Sequence, residues 1–416
     1  MVSEDGRIFR KKIRKCLGTS FRNVKGIAFE ARTAKSAVIL LLLLLLIVSF
    51  SAVVSLTPPQ TENLDVFVGI DIGYGGVEEA TKIIDAVSGY VNLVVIGSLN
   101  VTADAGRLTT ICNYLYKKGL YFVVYVGFGH ESNMPPEGPD RQFFAMAQSR
   151  WRGRLLGAYL FDEPGGKQLE SPNMLIKTAD NYSDAAINYV HHLNYFIGNS
   201  TAYYSPANIT LYTSDYALVW YDYLSGYEVV FGEFVENQSR QIAVGLCRGA
   251  AKSLQKDWGI MITYSHQQPP YIEGPLQLYD DMVTAYENGA KYIIVFDSPG
   301  NNTPTEKYGI LTEEHLRSME KFWNYASSAS KVTEYPANAA YVLPRDYGFG
   351  LRGPNDTIWG LWKADALSST VWNDATRLVA EYGQGLDIVH ETIIKDSPIE
   401  LPYNKLIFWN GTVLEK

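Results

Sequence analysis

Leu155-Leu156-Gly157-Ala158-Tyr159-Leu160-Phe161-Asp162-Glu163-Pro164-Gly165-Gly166 is an apolar run that ends in two carboxylates. Six of the seven residues from Leu155 to Phe161 are apolar, the pattern of a strand covered on both faces. Pro164-Gly165-Gly166 is expected to break the regular backbone after the acids. Asp162 and Glu163 then stand at the C-terminal end of a buried strand, where closed parallel barrels carry their chemistry. The same pair also reads as an N-cap and a solvated Glu of an ordinary βα loop.

Strand and helix signals alternate on both sides of this stretch. Strands are expected at Val66–Asp71, Leu93–Ile96, Tyr121–Val126, Leu155–Phe161, Ile209–Tyr212, Glu228–Phe231, Trp258–Tyr264 and Tyr292–Phe296. Helical spacing occupies Val77–Val87, Ala105–Lys118, Asp140–Trp151, about Asn173–Ile197, Ser239–Gln255, Leu276–Asn288 and Glu313–Ser330, with a loop or short helix at Asp215–Leu224. Eight such units predict an α/β fold, a (β/α)8 (TIM) barrel over residues 65–335. A doubly wound open sheet is the competing architecture, but no Gly-x-Gly-x-x-Gly opens the first unit. Residues 336–416 carry strand signals at Ala339–Leu343, Leu386–Val389 and Lys405–Phe408 around a helix at Ala366–Tyr382. They predict a small C-terminal α/β segment, partly flavodoxin-like, leaning on the barrel.

Charge divides the chain. Residues 1–36 hold ten Lys/Arg against three Asp/Glu, net +7; the remainder holds 26 against 41, net −15. Ser36–Leu56 contains no charge over 21 residues and includes an unbroken Leu40–Leu46, enough for one transmembrane helix. The positive flank then belongs in the cytoplasm and the acidic bulk outside. The expectation is a single-pass cell-membrane protein: a basic arm at 1–35, a bilayer span at 36–56, a linker at 57–64 and an extracellular barrel. A cleaved signal peptide is the alternative. Eight Asn-x-Ser/Thr sequons, at Asn100, Asn181, Asn199, Asn208, Asn237, Asn301, Asn355 and Asn410, all follow the apolar span, consistent with glycosylation outside the membrane. An acidic domain is a poor partner for nucleic acid. No zinc-ligand spacing occurs, and no metal or cofactor is expected; Cys112 and Cys247 read as buried thiols. Oligomeric state is not legible.

The strand ends collect one kind of chemistry. They offer Asp71 and Tyr74 after the first strand, and Tyr125 and His130 after the third. Asp162 and Glu163 follow the fourth, Tyr212 and Asp215 the fifth, and Glu233 the sixth. Tyr264 and His266 follow the seventh and Asp297 the eighth, while Trp220 is a candidate sugar-stacking platform. Paired carboxyls and aromatic faces suit glycosidic bond cleavage, which needs one acid and one base or nucleophile across the bond. Asp297 is a second candidate for the latter role behind Glu233.

Phe161-Asp162-Glu163-Pro164 resembles the Asn-Glu-Pro motif that ends the fourth strand of many retaining (β/α)8 glycoside hydrolases. The resemblance implies that Glu163 is the general acid/base, with Asp162 standing where those enzymes carry Asn. That superfamily places its nucleophilic Glu at the end of strand seven, where this chain reads Thr263-Tyr264-Ser265-His266; Glu233 is the substitute expected here. The adjacent Asp162-Glu163 pair also resembles hexosaminidases that use the substrate's own acetamide, with Tyr264 or Tyr212 assisting. A barrel that binds cell-surface glycans or builds a cell coat without cleaving anything is the non-enzymatic reading.

Overall fold

The structure is a computed structural model and describes residues 65–127, 139, 141–170, 172, 174–204, 209–264, 272–297, 312–328, 337–391, 393–394, 397–398 and 402–415. The basic arm, the apolar span 36–56 and the linker lie outside the described residues, as do His130, His266, Asn208 and Asn301. Among the described residues no helix is long and apolar enough to cross a membrane.

Eight strands pair in parallel in chain order: β1 (Phe67–Ile72), β2 (Leu93–Ile96), β3 (Tyr121–Val126), β4 (Leu155–Leu160), β5 (Thr210–Asp215), β6 (Val229–Val235), β7 (Asp257–Thr263) and β8 (Tyr292–Asp297). β8 returns to β1 with Phe67 opposite Tyr292 and Ile72 opposite Asp297, which closes the barrel. The helices are α1 (Val77–Val87), α2 (Leu99–Thr102), α3 (Ala105–Lys118), α4 (Arg141–Trp151) and α5 (Pro164–Leu169). They continue with α6 (Tyr182–Tyr204), α7 (Val219–Ser225), α8 (Arg240–Leu254), α9 (Pro275–Glu287) and α10 (Glu313–Ser328). Local chemistry sets their ends. Asp104 accepts the Arg107 N–H at the start of α3, and Gly119 closes that helix at φ +76°; Ser239 caps α8 by accepting from Ile242 N–H.

Period-two alternation sorts the strand side chains into two cores. Ile260, Ile262 and Tyr264 join the outer core between sheet and helices, while Met261 joins the barrel interior. That interior is rich in rings, with Tyr159, Tyr212, Phe231 and Tyr292 packed together. Tyr212 lies stacked 5.6 Å from Phe231 and edge-on to Tyr292. Glycine makes the room: a Cβ on Gly157 would lie 2.7 Å from the Tyr212 ring, and one on Gly259 would lie 2.6 Å from Tyr292 Cβ.

The C-terminal residues form a separate mixed sheet. Its order is β10 (Leu386–His390), β9 (Ala339–Leu343), β13 (Lys405–Phe408) and β14 (Val413–Glu415), with α11 (Ala366–Tyr382) between β9 and β10; β11 (Ile393–Ile394) and β12 (Ser397–Pro398) pair on their own. β9, β10 and β13 run parallel, and β14 turns back antiparallel on β13. α8 approaches β10 so closely that a Cβ on Gly249 would stand 2.6 Å from the Ile388 carbonyl oxygen. One residue away, Arg248 Nε donates to Asp387 Oδ1 at 2.7 Å, and Tyr403 donates to the other oxygen of that carboxylate at 2.8 Å.

Candidate active site

β4 ends in unusual backbone. Phe161 and Glu163 both take left-handed conformations, φ +54° and +49°, a cost of about 1–3 kcal/mol each that surrounding contacts must offset. The Pro-Gly-Gly that follows does not end regular structure, as the sequence suggested; it opens α5, with Pro164 at the first helical position, where its missing N–H is harmless. The glycines are there for close packing. Cβ atoms on Gly165 and Gly166 would stand 2.4 Å from Asp215 Oδ2 and 2.5 Å from the Tyr216 ring.

Asp215 makes this turn possible. It is fully buried, and its carboxylate accepts N–H bonds from Gly165, from Gly166 at 3.1 Å and from Ala217 at 2.9 Å. Asp215 is therefore an anchor behind the site rather than a substrate ligand, because it occupies the outward position of β5. Its neighbour Ser214 faces inward and was not among the expected residues. Ser214 Oγ donates to Glu233 Oε1 at 2.5 Å and lies 2.7 Å from the Tyr159 hydroxyl. Tyr159 in turn donates to Asp162 Oδ1 at 2.5 Å. Counting by twos from inward-facing Tyr212 would have found Ser214.

Glu163 and Glu233 meet at the mouth, within hydrogen-bonding reach of each other. Burial, then the charge of Asp162, pushes Glu163 up to about 7, with Lys167 acting in the opposite direction. Burial and the facing Glu163 hold the Glu233 carboxyl well above the usual range. Lys167 donates to the Asp162 carbonyl and lies 3.8 Å from its carboxylate. A cleft of about 350 Å³ opens on the Asp162 side of the mouth, lined by Asp71, Tyr74, Tyr125, Tyr159, Asp162 and Phe296; the Glu163 and Glu233 carboxyls stand behind Asp162 and Tyr159 rather than in its wall. Tyr74 is half exposed and packs against Phe296, ring centroids 6.3 Å apart. Asp71 is buried, and Gly97 leaves it space: a Cβ there would lie 2.3 Å from Asp71 Oδ1.

Other expected residues stand elsewhere. Tyr212 is buried inside the barrel, its hydroxyl 3.3 Å from that of Tyr292, too deep for a substrate. Tyr264 has outward parity and packs on His315 of α10. Trp220 is buried against His390 of β10, so it stacks on protein rather than sugar. Asp297 ends β8 at the same rim as Asp71. Asn100, Asn181, Asn237, Asn355 and Asn410 are exposed, and Asn199 lies in α6. Cys112 and Cys247 are buried free thiols. Among the described residues no three His, Cys, Asp or Glu are arranged to hold a metal ion.

No family profile and no curated protein matches this chain. Solved structures do. A GH26-CBM35 β-(1,4)-mannanase of Podospora anserina is similar at 10% identity and TM-score 0.34, covering 62% of this chain and 61% of its own. A spore coat polysaccharide biosynthesis protein of Bacillus subtilis matches at 12% identity and TM-score 0.35, over 63% and 68% of the two chains. A D-psicose 3-epimerase of Clostridium cellulolyticum H10 matches at 12% identity and TM-score 0.35, over 63% and 98%. Their differing chemistries leave the likeness one of fold alone.

Proposed function

We propose that the chain is a glycoside hydrolase, with Glu163 as general acid/base and Glu233 as its partner. The observation that carries this reading is the meeting of two carboxyls, one in the turn after β4 and one on β6, behind Asp162, which lines an aromatic cleft at the C-terminal mouth of the barrel. Such a pair supplies one proton donor and one carboxylate to opposite sides of a glycosidic bond. In the first step Glu163 protonates the leaving oxygen while Glu233 attacks the anomeric carbon; water then releases the sugar with Glu163 as base. Carboxyls within hydrogen-bonding reach stand closer than the about 5–5.5 Å of retention or the about 6.5–9.5 Å of inversion, so the pair must part to admit a sugar and its resting geometry selects neither outcome. Tyr74, Phe296 and Tyr125 supply ring faces and Asp71 an acceptor for sugar hydroxyls.

A second reading keeps Glu163 as acid and gives Asp162 the task of orienting a substrate acetamide. Asp162 favours it: the carboxylate is held at one oxygen by Tyr159 and stays 44% exposed beside the cleft. Hydrolysis of aryl glycosides and polysaccharides by Glu163→Gln, Glu233→Gln and Asp162→Asn variants separates the readings. Loss of activity on poor leaving groups in Glu163→Gln supports both. Activity retained in Glu233→Gln but lost in Asp162→Asn selects the acetamide-assisted route. Glycan binding without cleavage by the unaltered protein would make it a binding or coat module.

The chain's placement belongs to the same proposal: residues 36–56 span the cell membrane, with the basic arm inside and the barrel acting on surface glycans. The +7/−15 charge split supports it. Protease added to intact cells should remove the barrel and leave the arm; a protected barrel would reverse the assignment.

A further inference from the structure

We infer that Gln168 is a positioning residue, which ties the helix carrying the acid to the C-terminal segment so that Glu163 is held in its left-handed pose. The inference rests on the hydrolase reading for its catalytic part alone.

α5 begins directly after Glu163 and is held at both ends. At its start stand the Asp215 carboxylate and a Glu163 N–H bond to the Ser214 carbonyl at 3.1 Å. At its far end stands Gln168, which is fully buried. Its amide nitrogen donates to the carbonyls of Trp359 at 2.7 Å and Ile176 at 3.1 Å, and its oxygen accepts the Ile176 N–H at 2.9 Å. The Trp359-Gly360 turn is built for this contact. Trp359 is fully buried at φ +55°, anchored by its indole N–H on the Asp346 carbonyl at 2.9 Å. Gly360 sits at φ +68°, and a Cβ there would fall 2.2 Å from the Gln168 carbonyl oxygen. Two further ties run the same way: Thr357 Oγ1 donates to the Leu169 carbonyl at 3.4 Å, and Arg352 pairs with Glu170 at 2.8 Å. The segment joining β9 to α11 thus grips the end of a six-residue helix whose other end is the acid.

Strain at Phe161 and Glu163 persists only while the flanking contacts over-determine it. With Gln168 released, α5 can relax and Glu163 leaves the position from which it faces Glu233. A displacement of about 1 Å costs on the order of 10²-fold in rate. The test is Gln168→Met, of similar shape but without the three bonds, with Thr357→Val, which removes only the tie to the Leu169 carbonyl, as the milder variant should Met prevent folding. Amide hydrogen exchange at Gly165, Gly166 and Lys167 should quicken in the variant relative to the rest of the barrel; unchanged exchange overturns the brace whatever the chain's activity. In kinetics, turnover of glycosides with poor leaving groups should fall about 10²-fold with KM little changed, while activated aryl glycosides lose less than about threefold. The Glu163→Gln/Gln168→Met double variant should be no slower than Glu163→Gln alone. Equal loss on both substrate types overturns the positioning role. If Glu163→Gln itself shows no dependence on leaving group, the hydrolase reading fails instead, and exchange alone decides the brace.

Discussion

Glu163, in the turn between β4 and α5, and Glu233 of β6 approach within hydrogen-bonding reach although β5 lies between β4 and β6. Ser214, on the strand between them, donates to Glu233. The turn after β4 carries the Glu163 carboxyl across the end of β5 toward inward-facing Glu233, and the charge of Glu163 raises the hold of Glu233 on its proton.

The first prediction follows from that coupling. The Glu163 carboxyl is pushed up to about 7 and the Glu233 carboxyl is raised as well, so at low pH both carry protons. A mechanism that needs one acid and one carboxylate is starved at low pH, so kcat/KM should rise as pH increases through about 7. A pH–rate profile flat across that value would contradict the coupling. Stability should move the other way. A carboxyl whose folded pKa is raised binds its proton more tightly folded than unfolded, so stability declines as pH rises from about 4.5 to about 7. Glu163→Gln should remove its share of that slope and raise stability at pH 8 by about 1–2 kcal/mol, allowing for its partial exposure. Denaturant melts at pH 5 and 8 measure it.

Ser214 supplies the second. Ser214→Ala removes the donor to Glu233 and the partner of the Tyr159 hydroxyl. Both groups are buried, so the change should cost about 1–3 kcal/mol. Because the lost bond had favoured the charged form of Glu233, the rise in kcat/KM should shift to higher pH in the variant. An unshifted profile would show that Ser214 is not coupled to the pair.

How these residues escaped or met expectation has a physical pattern. Strands were legible because burial on both faces writes an uninterrupted apolar run, as in Leu93–Ile96 and Leu155–Leu160. The same continuity hides parity. Thr213, Ser214 and Asp215 are all fully buried, and nothing in their composition says that the serine faces the mouth while the aspartate faces α5. Carboxylates draw attention by type, so the sequence points to Asp215 as a ligand and leaves Ser214 unmarked. Trp220 and Tyr264 misled for a related reason: an aromatic near a strand end suits a sugar platform or a core equally, and tertiary packing decides. Pro164-Gly165-Gly166 reads locally as a breaker, and only the Asp215 carboxylate and the close approach of Tyr216 turn it into a helix.

The third prediction contrasts two buried acids behind the site. Asp215 accepts three backbone N–H groups, so Asp215→Ala should destabilise by about 2–3 kcal/mol or more. Burial, then the neighbouring Asp215, holds Asp222 well above the usual carboxylate range, and Tyr189 donates to it at 2.7 Å. A neutral Asp222 resembles Asn in shape and charge. Asp222→Asn should therefore change stability by less than about 1 kcal/mol. Thermal melts of the two variants give the comparison, and a severe loss in Asp222→Asn would mean that the acid is ionised.

The last prediction concerns the seam between barrel and C-terminal sheet. Arg248 of α8 directs its guanidinium to Asp387 Oδ1 at 2.7 Å, Asn288 Oδ1 at 2.7 Å and the Gln384 carbonyl at 2.6 Å, while Tyr403 donates to Asp387 Oδ2 at 2.8 Å. Both members of the ion pair are buried. Burial alone pushes the Asp387 carboxyl up, and Arg248 and Tyr403 work to bring it back down. Removing one partner leaves the other charged and desolvated, so Arg248→Met or Asp387→Leu singly should cost about 3–5 kcal/mol. The double variant Arg248→Met/Asp387→Leu puts apolar groups on both sides of the seam and should recover much of that loss, because the desolvation penalty goes with the charges. Asn288 and Tyr403 would still lose partners, so recovery should be partial. A double-mutant cycle in denaturant unfolding measures the coupling. If the two single losses simply add in the double variant, Arg248 and Asp387 act independently, and the seam is held by the packing of Gly249 on β10 rather than by their pairing.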